Sequence, residues 1–370
     1  MTFQIHIGAN VRKSAYFDAT VADGVRSFSV YNHMYIPGHF GDPEGEYDRL
    51  LNGVAQWDVA AQRQVELAGP DAVALAQLLT PRDLSSLTVG QGRYVPVCDH
   101  EGMVINDPVL LKLGKDRVWL SVADSDLHLW AAAIGAERGF DVSVREPDVS
   151  PMAIQGPKAM DVAAALFGDH VRDMRPFAFV ETALDDIPLV LARSGWSKQG
   201  GFELYLMDGA KGNALWQRVR KAGEPWNIGP GAPNDSERIE SGLISYGADM
   251  RRQVVPANPF EMGMGKMVSL DSHDFIGRSA LRRIADAGIA RRRVGFFVEG
   301  SPVTGLEAPV ALRRGATDVG IATDIAWSGR LDASIGLGLV EVGIGDDDTG
   351  LTVALPEGSR PVRLAPLPFL

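Results

Sequence analysis

The feature that most constrains the fold is a strand–turn–helix unit that occurs twice in this 370-residue chain. In "VELAGPDAVALAQLLTPRDLSSL" (65–87) and "MAIQGPKAMDVAAALFGDHVRDM" (152–174), a short apolar strand leads through Gly-Pro into an amphipathic helix. Pro70 and Pro157 stand at the helix starts, where a missing N–H is tolerated. We interpret the two copies as one repeated unit; chance similarity of two helix starts is the alternative.

Strand-like segments surround each copy. The first copy is followed by "RYVPVCD", "VINDPVLLKL" and "RVWLSVAD", and the second by "LVLARSGW" and "FELYL". Each copy therefore predicts an α+β unit with an antiparallel sheet. From residue 291, short apolar runs alternate with Gly, Pro and Asp turns without a helical period, which predicts a small all-β barrel or roll. The predicted domains are 1–148, 149–285 and 286–370, and interleaving of the first two is left open.

Composition limits the classes of partner. Apolar residues make up 45% and charged residues 22% of the chain, which is typical of globular proteins. The net charge of −11 disfavours nucleic acid as a partner, because phosphate neutralisation needs clustered Lys and Arg. The single cysteine, Cys98, fits a reducing cytoplasm. Neither a secretory signal nor an apolar run of the roughly 20 residues that a membrane helix needs is present. We expect a soluble cytoplasmic protein that binds no membrane.

The well-known catalytic motifs are missing. "GWSKQGG" has Gln199 where a hydrolase elbow, G-x-S-x-G, requires Gly. No phosphate-binding G-x-x-x-x-G-K-[ST] loop occurs. Seven histidines without H-x-x-x-H spacing and one cysteine do not compose a catalytic zinc site. We therefore predict no metal.

Polar residues interrupt an apolar strand in "GMVINDPVLLKL" (102–113). A carboxylate at Asp107 costs free energy there unless it is paired or meets a ligand. A β-bulge or turn formed by Asn106 and Asp107 explains the pattern equally well, and both interpretations stay open.

The segment "PNDSERIESGLISYG" (233–247) predicts a helix. Asn234 with Glu237 forms a helix start, Gly247 ends the helix, and Ile239, Leu243 and Tyr246 share one face. Arg238 lies near the start, where a cation gains nothing from the helix dipole, so a carboxylate partner in the protein or on a ligand is one interpretation. An ordinary surface arginine is the other.

Aromatic residues mark two further places. In "ARSGWSKQGGFELYL" (192–206), strand alternation puts Phe202, Leu204 and Leu206 on one face and Glu203 with Tyr205 on the other, next to Trp196. The segment "SVYNHMYIPGHF" (29–40) contains Tyr31, His33, Tyr35 and Phe40; by itself it is most simply a loop anchored by aromatic packing.

Several strings recur in order in a known family: "FSVYNHM-YIP", "TPRDLSS", "GMVINDPVLLKL", "SVADSD", "AIQGPK", "ARSGWSKQGGFELY" and "ERIESGLISYG". Together they strongly resemble the dimethylsulfoniopropionate demethylases, within the superfamily of the glycine-cleavage aminomethyltransferase (T-protein). The resemblance covers most of residues 14–285; the all-β tail matches in strand pattern and in its ending, "PLPFL".

The resemblance implies a three-domain cloverleaf around a central funnel that holds tetrahydrofolate, the methyl acceptor. It implies that Asp107 lies near the reactive folate nitrogen and is the catalytic residue. Tyr94, Glu203, Arg238 and Tyr246 are then further folate-binding residues, with Glu203 on the pterin edge.

The resemblance also implies the donor side of the site. Trp196, Tyr31 and Ser125 of "SVADSD" are the predicted substrate-binding residues. Tyr35, in "YNHMYIP", replaces an expected leucine, so another sulfonium or quaternary ammonium donor is an alternative. Two further alternatives remain: a glycine-cleavage aminomethyltransferase and a non-catalytic folate-binding regulator. A homodimer is left open.

Overall fold

The computed structural model describes residues 7–370. Up to residue 145, the helices and strands are α1 (Phe17–Ala22), β1 (Ser27–Tyr31), β2 (Met34–His39), α2 (Pro43–Asn52), β3 (Ala55–Asp58), β4 (Gln64–Ala68), α3 (Ala72–Leu79), β5 (Gln91–Tyr94), β6 (Val97–Cys98), β7 (Val104–Asn106), β8 (Val109–Gly114), β9 (Arg117–Ser121), α4 (Leu127–Glu137) and β10 (Ser143–Arg145).

The rest of the chain contains β11 (Ser150–Gln155), α5 (Ala159–Phe167), β12 (Phe179–Leu184), β13 (Ile187–Ala192), β14 (Gly201–Leu206), α6 (Gly212–Gly223), β15 (Gly229–Gly231), α7 (Asp235–Glu240), α8 (Arg278–Ala287), β16 (Arg291–Val298), β17 (Val310–Arg314), β18 (Thr317–Ser328), β19 (Ala333–Glu341), β20 (Leu351–Leu355) and β21 (Gly358–Ala365). Within the described range, no helix has the length and apolar character needed to cross a membrane.

Two sheets form the body of the molecule. The first has the strand order β10-β4-β9-β8-β5, and the second has the order β12-β13-β14-β11-β3-β15. Neighbouring strands are antiparallel except β15, which pairs in parallel with β3. Because β3 belongs to the second sheet, the two α+β units interleave, and a boundary at residue 148 does not separate them.

The predicted repeat is present. In both copies a central strand, β4 or β11, passes through a glycine with positive φ into a helix, α3 or α5. Gly69 has φ +137 and Gly156 has φ +126, and a Cβ on either would lie 2.6 Å from a backbone oxygen. Only glycine fits such a turn without displacing the neighbouring chain. Each helix then buries its apolar face on its own sheet.

The predicted helix at 234–247 is shorter than expected. Asn234 accepts a hydrogen bond from the Glu237 N–H, as predicted, but α7 ends at Glu240. Gly242, with φ +61, ends the helix, and the Leu243 N–H returns to the Arg238 carbonyl at 2.9 Å. This is the Schellman arrangement, in which a left-handed glycine satisfies the last carbonyl groups. The prediction of Gly247 as the helix end was therefore wrong, and Tyr246 lies on an irregular segment.

The C-terminal region is a closed antiparallel barrel, with the strand order β16-β19-β18-β17-β20-β21. Its interior is filled by aliphatic and aromatic side chains such as Phe296, Leu312 and Val353. Outside this core, Ile239 of α7 packs against Ala326, Ile335 and Leu337 of the barrel. The barrel thus rests on α7 and the segment after it, and the predicted α+β fold with an all-β third domain is confirmed.

Candidate active site

A large cavity of about 1150 Å³ lies between the two sheets. The β1–β2 hairpin, the edge of the first sheet, the loops 173–178 and 194–198, and residues 242–246 surround it. Its lining residues fall between Ser29 and Met267, so the barrel strands contribute none of them. The barrel supports the wall from behind, through α7 and the segment 243–250.

Asp107 lies at the break between β7 and β8 and lines the cavity while it is only 8% exposed. The Tyr94 hydroxyl donates a hydrogen bond to Asp107 Oδ2 at 2.7 Å. Burial raises the pKa of Asp107 to about 7, against the hydrogen bonds from Tyr94 and the Tyr246 backbone, and nearby Asp249 raises it further. Asp107 therefore both interrupts the strand and presents a carboxyl group that titrates near neutral pH.

Asn106, the residue before it, has a structural role. Its side-chain amide donates to the Ala123 carbonyl at 3.1 Å and its Oδ1 accepts from the Ala123 N–H at 3.1 Å. It also donates to Ser125 Oγ at 2.8 Å. These bonds connect β7 to Ala123 and Ser125, and Ser125 is not among the residues that line the cavity.

Glu203 is the second buried carboxylate of the cavity. Ser194 Oγ and the Tyr205 hydroxyl, the latter at 3.1 Å, both donate to its Oε2. Among residues 7–370 no donor reaches Oε1. Burial raises the pKa of Glu203, and the two hydrogen bonds oppose that shift. With one bonded and one free oxygen, this carboxylate can accept a further hydrogen bond from an N–H donor in the cavity.

Aromatic rings complete the wall. Tyr31, Trp196, Tyr94 and Tyr246 line the same cavity. The Trp196 indole N–H points to the Ile244 carbonyl at 3.5 Å, and the Arg238 guanidinium lies 6.0 Å from the ring centroid. Burial, together with the charges of Asp107 and Asp124, raises the pKa of Tyr31, so its hydroxyl stays protonated.

The structure places six of the eight predicted site residues around the cavity: Tyr31, Tyr94, Asp107, Trp196, Glu203 and Tyr246. Their ligand roles stay predictions. Ser125 bonds Asn106 and the Ile105 carbonyl instead.

Arg238 is also outside the lining. It is buried, donates to Asp249 Oδ2 at 2.8 Å and pairs with Asp324 of the barrel. Of the interpretations of Arg238, the carboxylate partner within the protein is the one observed.

The partners of Glu203, Ser194 and Tyr205, were not predicted from the sequence, and Tyr35 lies away from the cavity although its replacement of a leucine suggested an altered donor. Ser194 and Tyr205 belong to the same hairpin as Glu203, and strand alternation already put Tyr205 on its face, so that signal was available. Tyr35 packs against Phe17 and Phe28, with ring centroids 5.9 and 6.0 Å apart, and does not line the cavity. Its neighbour Ile36 does.

No three His, Cys, Asp or Glu side chains are grouped to hold a metal ion anywhere in the described part of the chain. Fold and cavity together define a protein with a cavity of small-molecule size between two α+β units that are braced by a barrel. The GCVT N-terminal domain profile matches residues 16–272, and the glycine cleavage T-protein C-terminal barrel domain profile matches residues 291–370. The chain belongs to the glycine-cleavage T-protein family.

Relatives agree with this assignment over nearly the whole chain. The dimethylsulfoniopropionate demethylase DmdA of Ruegeria pomeroyi is 41% identical over 354 residues, 96% of each chain. An aminomethyltransferase of Bacillus mycoides is 28% identical, covering 90% of this chain and 91% of its own. The crystal structure of aminomethyltransferase T from Bartonella henselae superimposes with a TM-score of 0.84 at 22% identity, covering 97% of this chain and 98% of that one. The predicted family resemblance is confirmed.

Proposed function

We propose that this protein transfers a methyl group from dimethylsulfoniopropionate to tetrahydrofolate. The observation that carries the proposal is the convergence of two buried carboxylates and an aromatic wall on one cavity. The choice of donor is supported by the 41% identity to a protein named as a demethylase of this compound, against 28% to one named as an aminomethyltransferase.

The proposed methyl transfer depends more on the positioning of the two substrates than on acid–base catalysis. The bond between sulfonium sulfur and methyl carbon breaks, the electron pair stays on sulfur as a neutral thioether, and the methyl carbon bonds to a folate nitrogen that then loses its proton. Because the leaving group is neutral, correct alignment can supply roughly 7–11 kcal/mol of the barrier reduction. In this proposal Glu203 accepts hydrogen bonds from the pterin edge at Oε1, which receives no hydrogen bond from the described part of the chain.

Asp107 and the aromatic rings have complementary roles in this proposal. An ionised Asp107 stabilises positive charge that develops on the acceptor nitrogen. Trp196 and Tyr31 face the donor's permanent cation, and each such contact contributes about 0.5–2 kcal/mol.

The decisive experiment combines the purified protein with tetrahydrofolate and a panel of methyl donors. Mass spectrometry of the folate should show methylation with dimethylsulfoniopropionate, without any added partner protein. If the folate is modified only when an aminomethyl group is presented on a lipoyl-bearing protein, the proposed donor is wrong. The alternative that this protein is an aminomethyltransferase is then supported. If folate binds and nothing is transferred, the protein is a folate-binding regulator.

Replacing Trp196 with Leu tests the cation pocket. The substitution keeps an apolar side chain but removes the ring quadrupole, so kcat/KM for the sulfonium donor should fall by a factor of a few to about thirty. Binding of a neutral thioether analogue should barely change. Trp226→Leu, a partly buried tryptophan outside the cavity lining, is the matched control. Equal losses for the charged donor and the neutral analogue would exclude cation recognition by Trp196.

A further inference from the structure

The loop of residues 194–200 carries part of the cavity wall. It joins β13 to β14 and contributes Ser194, Trp196 and Lys198 to the lining. The Trp196 indole makes one long hydrogen bond, 3.5 Å to the Ile244 carbonyl, which is a weak restraint for so large a side chain. The position of the tryptophan therefore depends on what holds the loop backbone.

The loop is held from two sides. On the sheet side, Ser197 Oγ donates to Gln155 Oε1 at 2.8 Å, the Gln155 side-chain amide donates to the Ser194 carbonyl at 3.3 Å, and the Gly156 N–H donates to the Gly200 carbonyl at 2.9 Å. On the helix side, Glu237 Oε1 accepts from the Lys198 backbone N–H at 3.0 Å and from the Gln199 side-chain amide at 3.0 Å.

Glu237 is an unexpected residue for this contact. It is 1% exposed, and none of the described lysines, arginines or histidines forms an ion pair with it. A buried carboxylate without a cation is costly unless hydrogen bonds compensate for the lost hydration. Here three donors share Oε1: Lys198, Gln199 and, at 2.9 Å, Ser241 Oγ.

The direction of the Glu237 side chain is also informative. In a complete capping box, the acidic side chain three residues after the cap returns to the N–H of the capping residue. Asn234 does cap the Glu237 N–H, but the Glu237 carboxylate reaches across to the loop instead. The Glu237 side chain thus forms hydrogen bonds to the 194–200 loop in place of the local hydrogen bond to the Asn234 N–H.

We propose that Glu237 is a positioning residue for the methyl donor: it fastens the 194–200 loop so that Trp196 stands as a wall of the cavity. The donor part of this inference rests on the proposed function. Glu237 acts through the loop backbone and is absent from the cavity lining. It should therefore govern donor binding more than folate binding.

The test follows the environment of Trp196 directly by ¹⁹F NMR. In protein labelled with 5-fluorotryptophan, the ¹⁹F signal of Trp196 is assigned by its loss in Trp196→Phe. Glu237→Ala should shift or broaden this signal and raise the donor KM roughly ten-fold, as expected for a lost charge-assisted hydrogen bond. The folate Kd and kcat should stay close to wild type. Glu237→Gln, which keeps an acceptor oxygen, should restore most of both properties.

Two further variants separate positioning from general damage. Gln199→Ala removes one loop donor without touching the carboxylate, and it should move the Trp196 signal in the same direction by a smaller amount. If Glu237→Ala does not fold, Gln199→Ala alone tests the proposal. Ser236→Ala is the matched control, because Ser236 lies on the same helix and donates to the Trp327 carbonyl of the barrel at 2.9 Å.

The outcomes distinguish this inference from the proposed function. An unchanged Trp196 signal and an unchanged donor KM in both Glu237→Ala and Gln199→Ala would overturn it. If the wild-type protein demethylates no sulfonium compound but the Trp196 signal still moves in these variants, the proposed donor fails and the anchoring of the loop is supported.

Discussion

Asp107 is a cavity-lining carboxyl group whose protonation state changes near neutral pH. Burial brings the pKa of its carboxyl to about 7, so it carries a proton below that pH and a negative charge above it. If the ionised form stabilises the reacting nitrogen, kcat/KM should fall as the pH is lowered through about 7.

Removing the Tyr94 hydroxyl tests this assignment. Tyr94 donates to the ionised carboxylate and thereby lowers the pKa of Asp107, so Tyr94→Phe should move the acid limb of the pH–rate profile upward by about one pH unit. Tyr16→Phe is the control, because the Tyr16 hydroxyl bonds the Ser150 carbonyl, away from the cavity. An acid limb at the same pH in Tyr94→Phe would show that Asp107 is not the titrating group.

Glu203 allows a second prediction for a single residue. Glu203→Gln removes the charge that a pterin N–H donor would meet, and folate binding should weaken by roughly 1–3 kcal/mol in calorimetry. Glu66→Gln is the matched control, since Glu66 is an equally buried carboxylate that pairs with Arg117 and Arg145 instead. Unchanged folate affinity in Glu203→Gln would contradict its role.

At the scale of elements, the strand-to-helix turn is the most restrictive part of each α+β unit. The turn before α5 needs Gly156 because a Cβ would lie 2.6 Å from the Gly53 carbonyl oxygen and 3.0 Å from that of Leu50. Both obstacles are backbone atoms, which cannot rotate away. The repeat seen in the sequence is thus a constraint on backbone packing as well as a pattern.

Gly156→Ala should therefore be strongly destabilising. We expect a loss of about 2–4 kcal/mol in the free energy of unfolding, from the positive φ together with the overpacking. Gly139→Ala is the control, since Gly139 has φ +68 but no atom within 4 Å of the new Cβ, and should lose only about 1–2 kcal/mol. Urea denaturation measures both; equal losses would mean that the close approach contributes nothing.

At the scale of the whole molecule, buried ionic groups join the barrel to the body. Arg238 of α7 contacts Asp249, behind the cavity wall, and Asp324 of the barrel. Two residues further along the helix, Glu240 accepts hydrogen bonds from Tyr47 of α2 at 2.7 Å and from Arg330 of the barrel at 2.9 Å. Helix α7 thus links α2 and the segment behind the cavity wall to the barrel.

Arg238→Met should loosen this junction. It leaves two buried carboxylates without their cation, and we expect a loss of about 3–5 kcal/mol in unfolding free energy. Burial already raises the pKa of Asp324 to about 6, and Arg238 opposes that shift. The loss should therefore shrink at low pH, where Asp324 is protonated. Asp324→Asn in the same chain should recover part of it.

The matched control is Arg218→Met, which removes an exposed ion pair with Asp185 and should cost at most about 1 kcal/mol. If Arg238→Met leaves stability unchanged and weakens folate binding instead, the direct ligand role that the family resemblance implied for Arg238 is correct.

Much of the site could be predicted because its signals are local. Alternation along β14 put Glu203 and Tyr205 on one face, and the break at Asp107 stood out within an apolar strand. Tyr35 and Arg238 could not be placed in this way. Each has a plausible local pattern, but its partners, Phe17 and Phe28 for the tyrosine and Asp249 and Asp324 for the arginine, come from elsewhere in the chain.

The repeated strand–glycine–helix units, the barrel strands and the family could be read from the sequence, because periodicity, turn residues and shared strings are properties of consecutive residues. Three features required the folded structure: β3 completes the second sheet, α7 ends at Glu240, and Glu237 bonds the loop that carries Trp196. These features depend on contacts between residues that are far apart in the sequence, because buried polar atoms need hydrogen-bond partners. Which distant residues supply those partners is a property of the folded chain, and no short segment of the sequence contains it.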